Sequence, residues 1–436
     1  QDVNRCAAAC RFDGEEDWSE ASRQALKAMQ AAGGAFLFPP DLTETTASIG
    51  GLAACNGSGA RSFAYGPTRA HVAGLGVALV DGDRLQLQRG RERTAGRAFA
   101  LKTAGGRALQ GELPGYSMPD VKNAAGYFAA DDMDVIDLFV GSEGTLGLFE
   151  SLDVVLIPMP RVLWGVTCFL PSEEAAIAFV QRIRRDTCCT AVEFLDHAAL
   201  DLLRRQKTEN PAFGEIPELD DAWHSAVYAE YQGRAEEQVE EQVMMMSEAL
   251  EACGGDSDAT WLATGVKEIE RFKTFRHAVP ESVNMMIDER RKSDPRLTKL
   301  GTDLSVPDAA LGDVMKMYRR DLDKLGLDSV AFGHVGNNHV HVNIIPRTYE
   351  EYLQGKELYL DWATRVVDMG GSISAEHGIG KLKTDMLRAM YGAEGIEQMQ
   401  AVKRVFDPRF RLNPGNLFSV PPRLDTHTAA RDNAPH

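Results

Sequence analysis

The sequence predicts an α+β fold built as two domains, and three observations carry that reading. The chain has 436 residues, 44% hydrophobic and 25% charged, more than one simple core accommodates. Its first 160 residues are rich in glycine and short β-prone runs, and the composition shifts at 161. From there to about residue 400, strand-like segments such as VLWGVTCFL alternate with charged helical segments. That alternation predicts helices covering one face of a sheet.

Each element has its own justification. WSEASRQALKAMQAA (18–32) has helical spacing and stops at Gly33-Gly34. A short strand over 35–38 runs into Pro39-Pro40, which neither a central strand nor a helix interior accepts. SIGGLAACNGSGARSFAYG (48–66) carries glycines at 50, 51, 57, 59 and 66. It reads either as a loop whose backbone approaches a ligand or as a plain surface loop. VAGLGVALV (72–80) reads as a buried strand ending at the turn Asp81-Gly82-Asp83, and 84–135 as short and irregular. In DLFVGSEGTLGLFESLDVVLIPMP (137–160), two β-rich runs flank a glycine-rich turn, and Pro158 and Pro160 end the second. RAEEQVEEQVMMMSEALEA (234–252) is the clearest helix, with its methionines at 244–246 read as core packing. Residues beyond about 422 read as a polar, frayed end.

Composition narrows the function. Lys and Arg number 47 against 64 Asp and Glu, a net charge of −17 with no basic stripe. Nucleic acid and anionic membrane surfaces are therefore poor partners, while a small anionic substrate in a local cationic pocket is compatible. No stretch reaches the ~18 uninterrupted apolar residues of a spanning helix. QDVNRCAAACRFDGEEDW has no apolar core with a cleavage site, so no signal peptide is expected. Seven scattered cysteines do not form a disulfide framework. Cys6 and Cys10 have the spacing of a metal or redox pair, but no second pair follows, and reduced thiols are expected. These features point to the cytoplasm, with peripheral attachment at the inner face of the membrane as a variant.

The chemistry concentrates in two stretches. AFGHVGNNHVHVN (331–343) holds His334, His339 and His341, three of the ten histidines in the chain. On a strand, residues two apart share a face, so His339, His341 and Asn343 point the same way. The turn VGNN would fold His334 back beside them. GGSISAEHGIGK (370–381) places Glu376 and His377 between glycines, with Lys381 and Lys383 beyond. Several imidazoles and a carboxylate on glycine-rich segments make a divalent-metal set suited to zinc, iron or manganese. The alternative is a group of core histidines satisfied by backbone carbonyls.

Together with VGSEGTLG and LNPGNLF, these stretches closely resemble the FAD-dependent D-2-hydroxyacid dehydrogenases of the vanillyl-alcohol oxidase type. That group includes D-lactate dehydrogenases, the flavin subunit of glycolate oxidase and D-2-hydroxyglutarate dehydrogenases. The resemblance spans about residues 36–420. It implies a two-domain flavoprotein: an FAD-binding domain over 1–160, an antiparallel-sheet cap over 161–400, and 401–436 returning to the FAD domain. Along the cofactor it implies Pro39, Gly50, Gly51, Asn56, Ser58, Tyr65, Gly66, Glu143, Gly144 and Asn413. It implies His334, His341 and Glu376 as metal ligands and His377 as proton acceptor. Arg276 would clamp the substrate carboxylate, with Lys299 and Asn343 assisting. His339 stands where the family has asparagine, and Asn337-Asn338 replace its Asp-Gly. A further departure lies before residue 36, where no glycine-rich turn of the kind the family places around the FAD pyrophosphate occurs. Either the chain is truncated or the phosphates are held differently.

The implied reaction is oxidation of a D-2-hydroxy acid such as D-lactate or glycolate to the 2-oxo acid, with FAD and a divalent metal (Zn, Fe or Mn). A separate electron acceptor would follow: a quinone, a cytochrome, another flavoprotein or an iron–sulfur subunit. The chain would act as a homodimer or as a subunit of a redox complex. Two other classes stay open: a flavin electron-transfer subunit without turnover of its own, and a flavin-free metallohydrolase using Glu376 as base.

Overall fold

The computed structural model describes residues 2–12, 20–40, 46–214 and 216–419. The polar end beyond 422 lies outside these, as do the first two residues of the helix expected over 18–32, which is present as Glu20–Ala32.

Among the described residues, fourteen strands form four sheets. β1 (Phe36–Leu37) pairs with β7 (Ile157–Pro158). β2 (Val72–Ala78) lies between β3 (Arg84–Gln88) and β6 (Leu148–Val154). β4 (Ala98–Lys102) and β5 (Ala108–Glu112) form a hairpin. The remaining seven are β8 (Val162–Leu170), β9 (Cys189–Leu195), β10 (Ser225–Gly233), β11 (Trp261–Ala263), β12 (Leu300–Gly301), β13 (Ser329–Gly333) and β14 (His341–Ile344). They make one antiparallel sheet in the order β11-β8-β10-β9-β13-β14-β12.

Helices cover both faces of this sheet, not one as expected. Cys168, Phe194 and Val227 pack into one hydrophobic cluster with the helices Glu173–Asp186 and Glu236–Glu251. Their neighbours Phe169, Leu195 and Ala226 pack into another with His197–Glu209 and Val266–Arg291. Adjacent residues entering different clusters is the period-two signature of a strand buried on both sides.

Four local expectations are corrected. The stretch 84–135 is not irregular: RLQLQ, AFALK and ALQGE alternate exposed and buried residues as strands β3, β4 and β5. The β-prone DLFV falls in a helical turn, Ile136–Phe139, because a short wholly apolar run does not distinguish helix from strand. The glycine-rich stretch from 48 begins as a helix, Ile49–Ala54, whose first turn Ser48 caps by accepting from Gly51 N at 3.1 Å. Of the methionine run, only Met246 is core, while Met244 is 62% exposed.

The last helix, Thr384–Phe406, bends at Gly392 and brings the segment after it back to the N-terminal part. Lys403, 2% exposed, donates to Thr145 O, Leu412 O and Asp407 Oδ2. All seven cysteines are free thiols.

Candidate active site

The histidines converge because β13 turns directly into β14. Phe332 pairs with His341 across the ladder, and a single 3-10 turn, Val335–Asn337, joins the strands. Gly333 has φ +134°, and a Cβ there would meet His341 Cδ2 at 2.8 Å, so only glycine lets the chain place His334 so close to His341. The second stretch, 370–381, is held by a residue the sequence reading did not single out. Asp303, fully buried, accepts from Glu376 N at 3.1 Å, His377 N at 3.0 Å, Ser374 Oγ at 2.7 Å and Lys383 Nζ at 2.6 Å. Burial opposes its ionisation, but Lys383 and His339 outweigh burial and hold its pKa well below the carboxylate range.

Around Glu376 the geometry is that of a ligand set. Its Oε2 lies 3.2 Å from His334 Nε2 and 3.8 Å from His341 Nε2. One donor atom from each of these three residues lies within 4.8 Å of the others. The remaining ring nitrogens are already engaged: His334 Nδ1 with Glu193 Oε1 at 2.6 Å, His341 Nδ1 with Thr302 O at 2.9 Å. Carboxylate and carbonyl partners of this kind fix the tautomer that turns Nε2 toward a metal. The donor set therefore fits a divalent cation such as zinc, iron or manganese. Glu376 Oε1 faces away, to Lys122 Nζ at 2.5 Å and Ser58 Oγ at 3.2 Å. Burial disfavours charge on both His334 and Glu376. Glu193 and Glu376 nevertheless raise His334 to about 9, so a cation binding at Nε2 would displace a proton there, while His334 and Lys122 hold Glu376 far below its usual range. His339 is fully buried, with Nε2 3.0 Å from Asp303 Oδ1 and Nδ1 3.8 Å from Glu376 Oε2. It braces Asp303 and lies outside both three-residue groups, of which the second is Asp303, His341 and His377.

A cavity of about 510 Å³ opens onto this cluster and is lined by Arg276, Lys299, Asn343 and His377 as well as His334, His341 and Glu376. Arg276 rises from the helix Val266–Arg291, with Cζ 4.4 Å above the Tyr228 ring and Nη1 3.9 Å from Glu193 Oε2. Lys299 Nζ donates to Asn284 Oδ1 at 2.8 Å, and burial lowers its pKa. The Glu376 side chain is 8% exposed and that of His377 62%, so the adjacent pair divides between interior and cavity. The His377 ring stacks 5.2 Å from that of His341, and its Nδ1 stands 3.6 Å from Asp303 Oδ1.

The residues expected along a cofactor do not share one place, and four of them mark two regions. Asn56 lines a second cavity, about 310 Å³, with Arg69, Lys122, Phe128 and Asn337. Asn337 Oδ1 is buried there without a hydrogen-bond partner. A mostly apolar space with an unmatched acceptor fits an isoalloxazine edge. Lys122 lines this cavity and Glu376 the first, so their ion pair stands between the two. The second region is at the chain's closing segment. Glu143 (φ 52°) accepts through its carboxylate from Ile379 N, Gly380 N and Asn416 Nδ2, and through its carbonyl from Asn413 Nδ2 at 2.8 Å. Glu143, Gly144 and Asn413 are thus neighbours, but the Glu143 carboxylate grips the chain's own backbone. Tyr65 OH donates to Gln232 Oε1 on β10, Gly66 has φ 77°, and Pro39 is buried next to β1. Gly50 and Gly51 lie in the helix Ile49–Ala54.

Lys122, Glu193 and Asp303 are site residues that the sequence reading missed. Each carries a charge in a locally apolar or small-residue stretch (PDVKNAAGY, TAVEFL, GTDLSV), the one signal available for them.

A family model described as FAD linked oxidases, C-terminal domain, matches residues 159–417. Glycolate oxidase subunit GlcD of Bacillus subtilis is 28% identical over 398 residues, 90% of this chain and 73% of that protein. A probable mitochondrial D-lactate dehydrogenase of Danio rerio is 28% identical over 386 residues, 88% of this chain and 67% of that protein. D-2-hydroxyglutarate dehydrogenase of Stutzerimonas stutzeri is 26% identical over 397 residues, covering 88% and 72%. Among solved structures, 4-ethylphenol oxidase from Gulosibacter chungangensis aligns with TM-score 0.55 at 15% identity, over 91% of this chain and 75% of that one. An alkyldihydroxyacetonephosphate synthase aligns with TM-score 0.54 at 16% identity over 89% of this chain, which spans only 61% of that protein's length. These likenesses establish the fold as that of the vanillyl-alcohol oxidase type.

Proposed function

The chain belongs to the FAD-linked oxidases, and from that premise we propose that it oxidises a D-2-hydroxy acid, such as D-lactate or glycolate, to the 2-oxo acid. The observation that carries the reading is one cavity lined by Arg276, Lys299, Asn343 and His377 together with the His334–His341–Glu376 cluster. Arg276 and Lys299 hold the substrate carboxylate, the guanidinium by a bidentate fork. Asn343 hydrogen-bonds the substrate and fixes its orientation. His377 takes the hydroxyl proton at Nε2, since Nδ1 faces Asp303. His334, His341 and Glu376 hold a divalent cation. The chemistry supplied by the bound groups is a two-electron acceptor for the Cα hydride at flavin N5 and a Lewis acid for the hydroxyl.

On the same reading, 1–160 with 401–436 carry the flavin and 161–400 cover it. Electrons then leave to a separate acceptor: a quinone, a cytochrome, another flavoprotein or an iron–sulfur subunit. Among the described residues no helix is long and apolar enough to cross a membrane.

Anaerobic mixing with paired D- and L-2-hydroxy acids tests the proposal. The D-isomer should bleach the flavin absorption and the L-isomer should not; equal bleaching by both would sink it. A chain with no flavin absorption would favour the metallohydrolase, and flavin that no hydroxy acid bleaches would favour the electron carrier.

A further inference from the structure

We propose that Glu193 is a positioning residue that fixes the His334 imidazole, so that its Nε2 and not its Nδ1 is offered to the cation. The inference rests on the reading of His334 as a ligand, but the residue itself is a new assignment. Glu193 lies in β9, CTAVEFL, whose other residues are apolar or small and are all buried. A carboxylate in such a strand loses hydration and must be offset by a specific partner.

Two candidates stand within reach, and distance decides between them. His334 Nδ1 is 2.6 Å from Oε1, within the range of a charge-assisted hydrogen bond. Arg276 Nη1 is 3.9 Å from Oε2, too far for a direct bond. Arg276 is also supported by the Tyr228 ring at 4.4 Å. The main partner of Glu193 is therefore His334, with Arg276 a secondary counter-charge. An imidazole whose Nδ1–H is donated keeps its lone pair on Nε2, and that atom is the one facing Glu376 Oε2 at 3.2 Å. β9 and β13 pair at Phe332↔Leu195 and Gly333↔Phe194, so the register of the sheet itself brings Glu193 alongside His334.

Zinc affinity, measured on the full chain by competition with a chromogenic chelator, tests the assignment on wild type, Glu193→Ala, Glu193→Gln and His334→Ala. Glu193→Ala should raise the zinc dissociation constant about 10–100-fold. Glu193→Gln should lose less, because its amide oxygen still accepts from Nδ1–H. Wild-type affinity in Glu193→Ala alongside lost affinity in His334→Ala overturns the role of Glu193 and leaves the ligand reading standing. If His334→Ala binds zinc as wild type does, the ligand reading fails and this proposal fails with it. Should Glu193→Ala not fold, Glu193→Met, of similar length and without an acceptor, carries the test: affinity equal to wild type overturns the proposal, and weaker binding upholds it.

Discussion

Lys122 and Glu376, 254 residues apart in the chain, meet as a buried ion pair with Nζ 2.5 Å from Oε1, and their side chains are only 5% and 8% exposed. The pair joins a stretch from the N-terminal part to the loop that bears the candidate ligand and base. It also leaves Oε2 as the oxygen turned toward the histidines.

Removing the ammonium from this pair takes a charge-assisted hydrogen bond from a buried carboxylate and leaves it His334 as counter-charge, at a cost of about 1.5–3 kcal/mol. Lys122→Met should therefore melt well below wild type when zinc-free. A bound dication would take over as counter-charge, so saturating zinc should narrow the gap. Thermal melts with and without zinc check this; a gap that zinc leaves unchanged or widens would remove the cation from beside Glu376.

A second prediction concerns pH. Asp196 is fully buried at the start of the helix His197–Glu209, where it accepts from Ala199 N at 2.8 Å. Burial raises its pKa from 3.8 to about 6, against the pull of that N–H and of Arg319. A carboxyl whose folded pKa lies above its unfolded value stabilises when protonated. Its contribution is full below the unfolded pKa and is lost as pH rises through about 6. Two pKa units correspond to roughly 3 kcal/mol. Asp196→Asn keeps a capping acceptor and cannot ionise, so the wild type should gain stability relative to the variant on acidification from pH 7.5 to 4.5. Parallel stability curves for the two proteins would show that Asp196 titrates normally.

The parts of the site legible in sequence were those where residue type and setting clash. Imidazoles on a β-prone run, and Glu376-His377 among glycines, are anomalous in one dimension. Arg276 became legible only through resemblance, since one arginine on a charged helix looks solvated. Asp303, Glu193 and Lys122 were not legible, because a single charge reads as a solvent-facing position until tertiary pairing encloses it. The same limit applied to the fold. The long alternation after 161 revealed a sheet with helices, but its second covered face depends on which clusters Phe169 and Cys168 enter. The strands in 84–135 were within reach, since RLQLQ and AFALK alternate cleanly, yet five-residue runs between turns were too short to stand out.

The substrate clamp gives a third prediction. A charge-assisted hydrogen bond is worth about 1.5–3 kcal/mol, and 1.4 kcal/mol is tenfold. Arg276→Met should raise KM for D-lactate by about 10–100-fold, whereas Lys299→Met, already bonded to Asn284, should have the smaller effect. Steady-state kinetics on both variants check the order, and a larger KM effect from Lys299 would exchange the roles of the two cations.

The last prediction separates ligand from base. Glu376 is directed inward to His334 and Lys122, while the neighbouring His377 is 62% exposed toward the cavity. Both hang from Asp303 through their backbone N–H groups, so truncating either side chain leaves the loop's anchoring intact. His377→Ala should keep metal and flavin content but lose the proton acceptor, lowering turnover by about 10²–10⁴-fold. Glu376→Ala should lose the metal, and activity should fall with it, because two imidazoles alone make an incomplete set. Metal analysis and turnover on the two variants distinguish the assignments. Metal lost from His377→Ala and kept by Glu376→Ala would reverse the roles and shift the cation toward the second group, Asp303, His341 and His377. Full activity in both would make the AEHG segment structural and leave the hydroxyl proton without its acceptor.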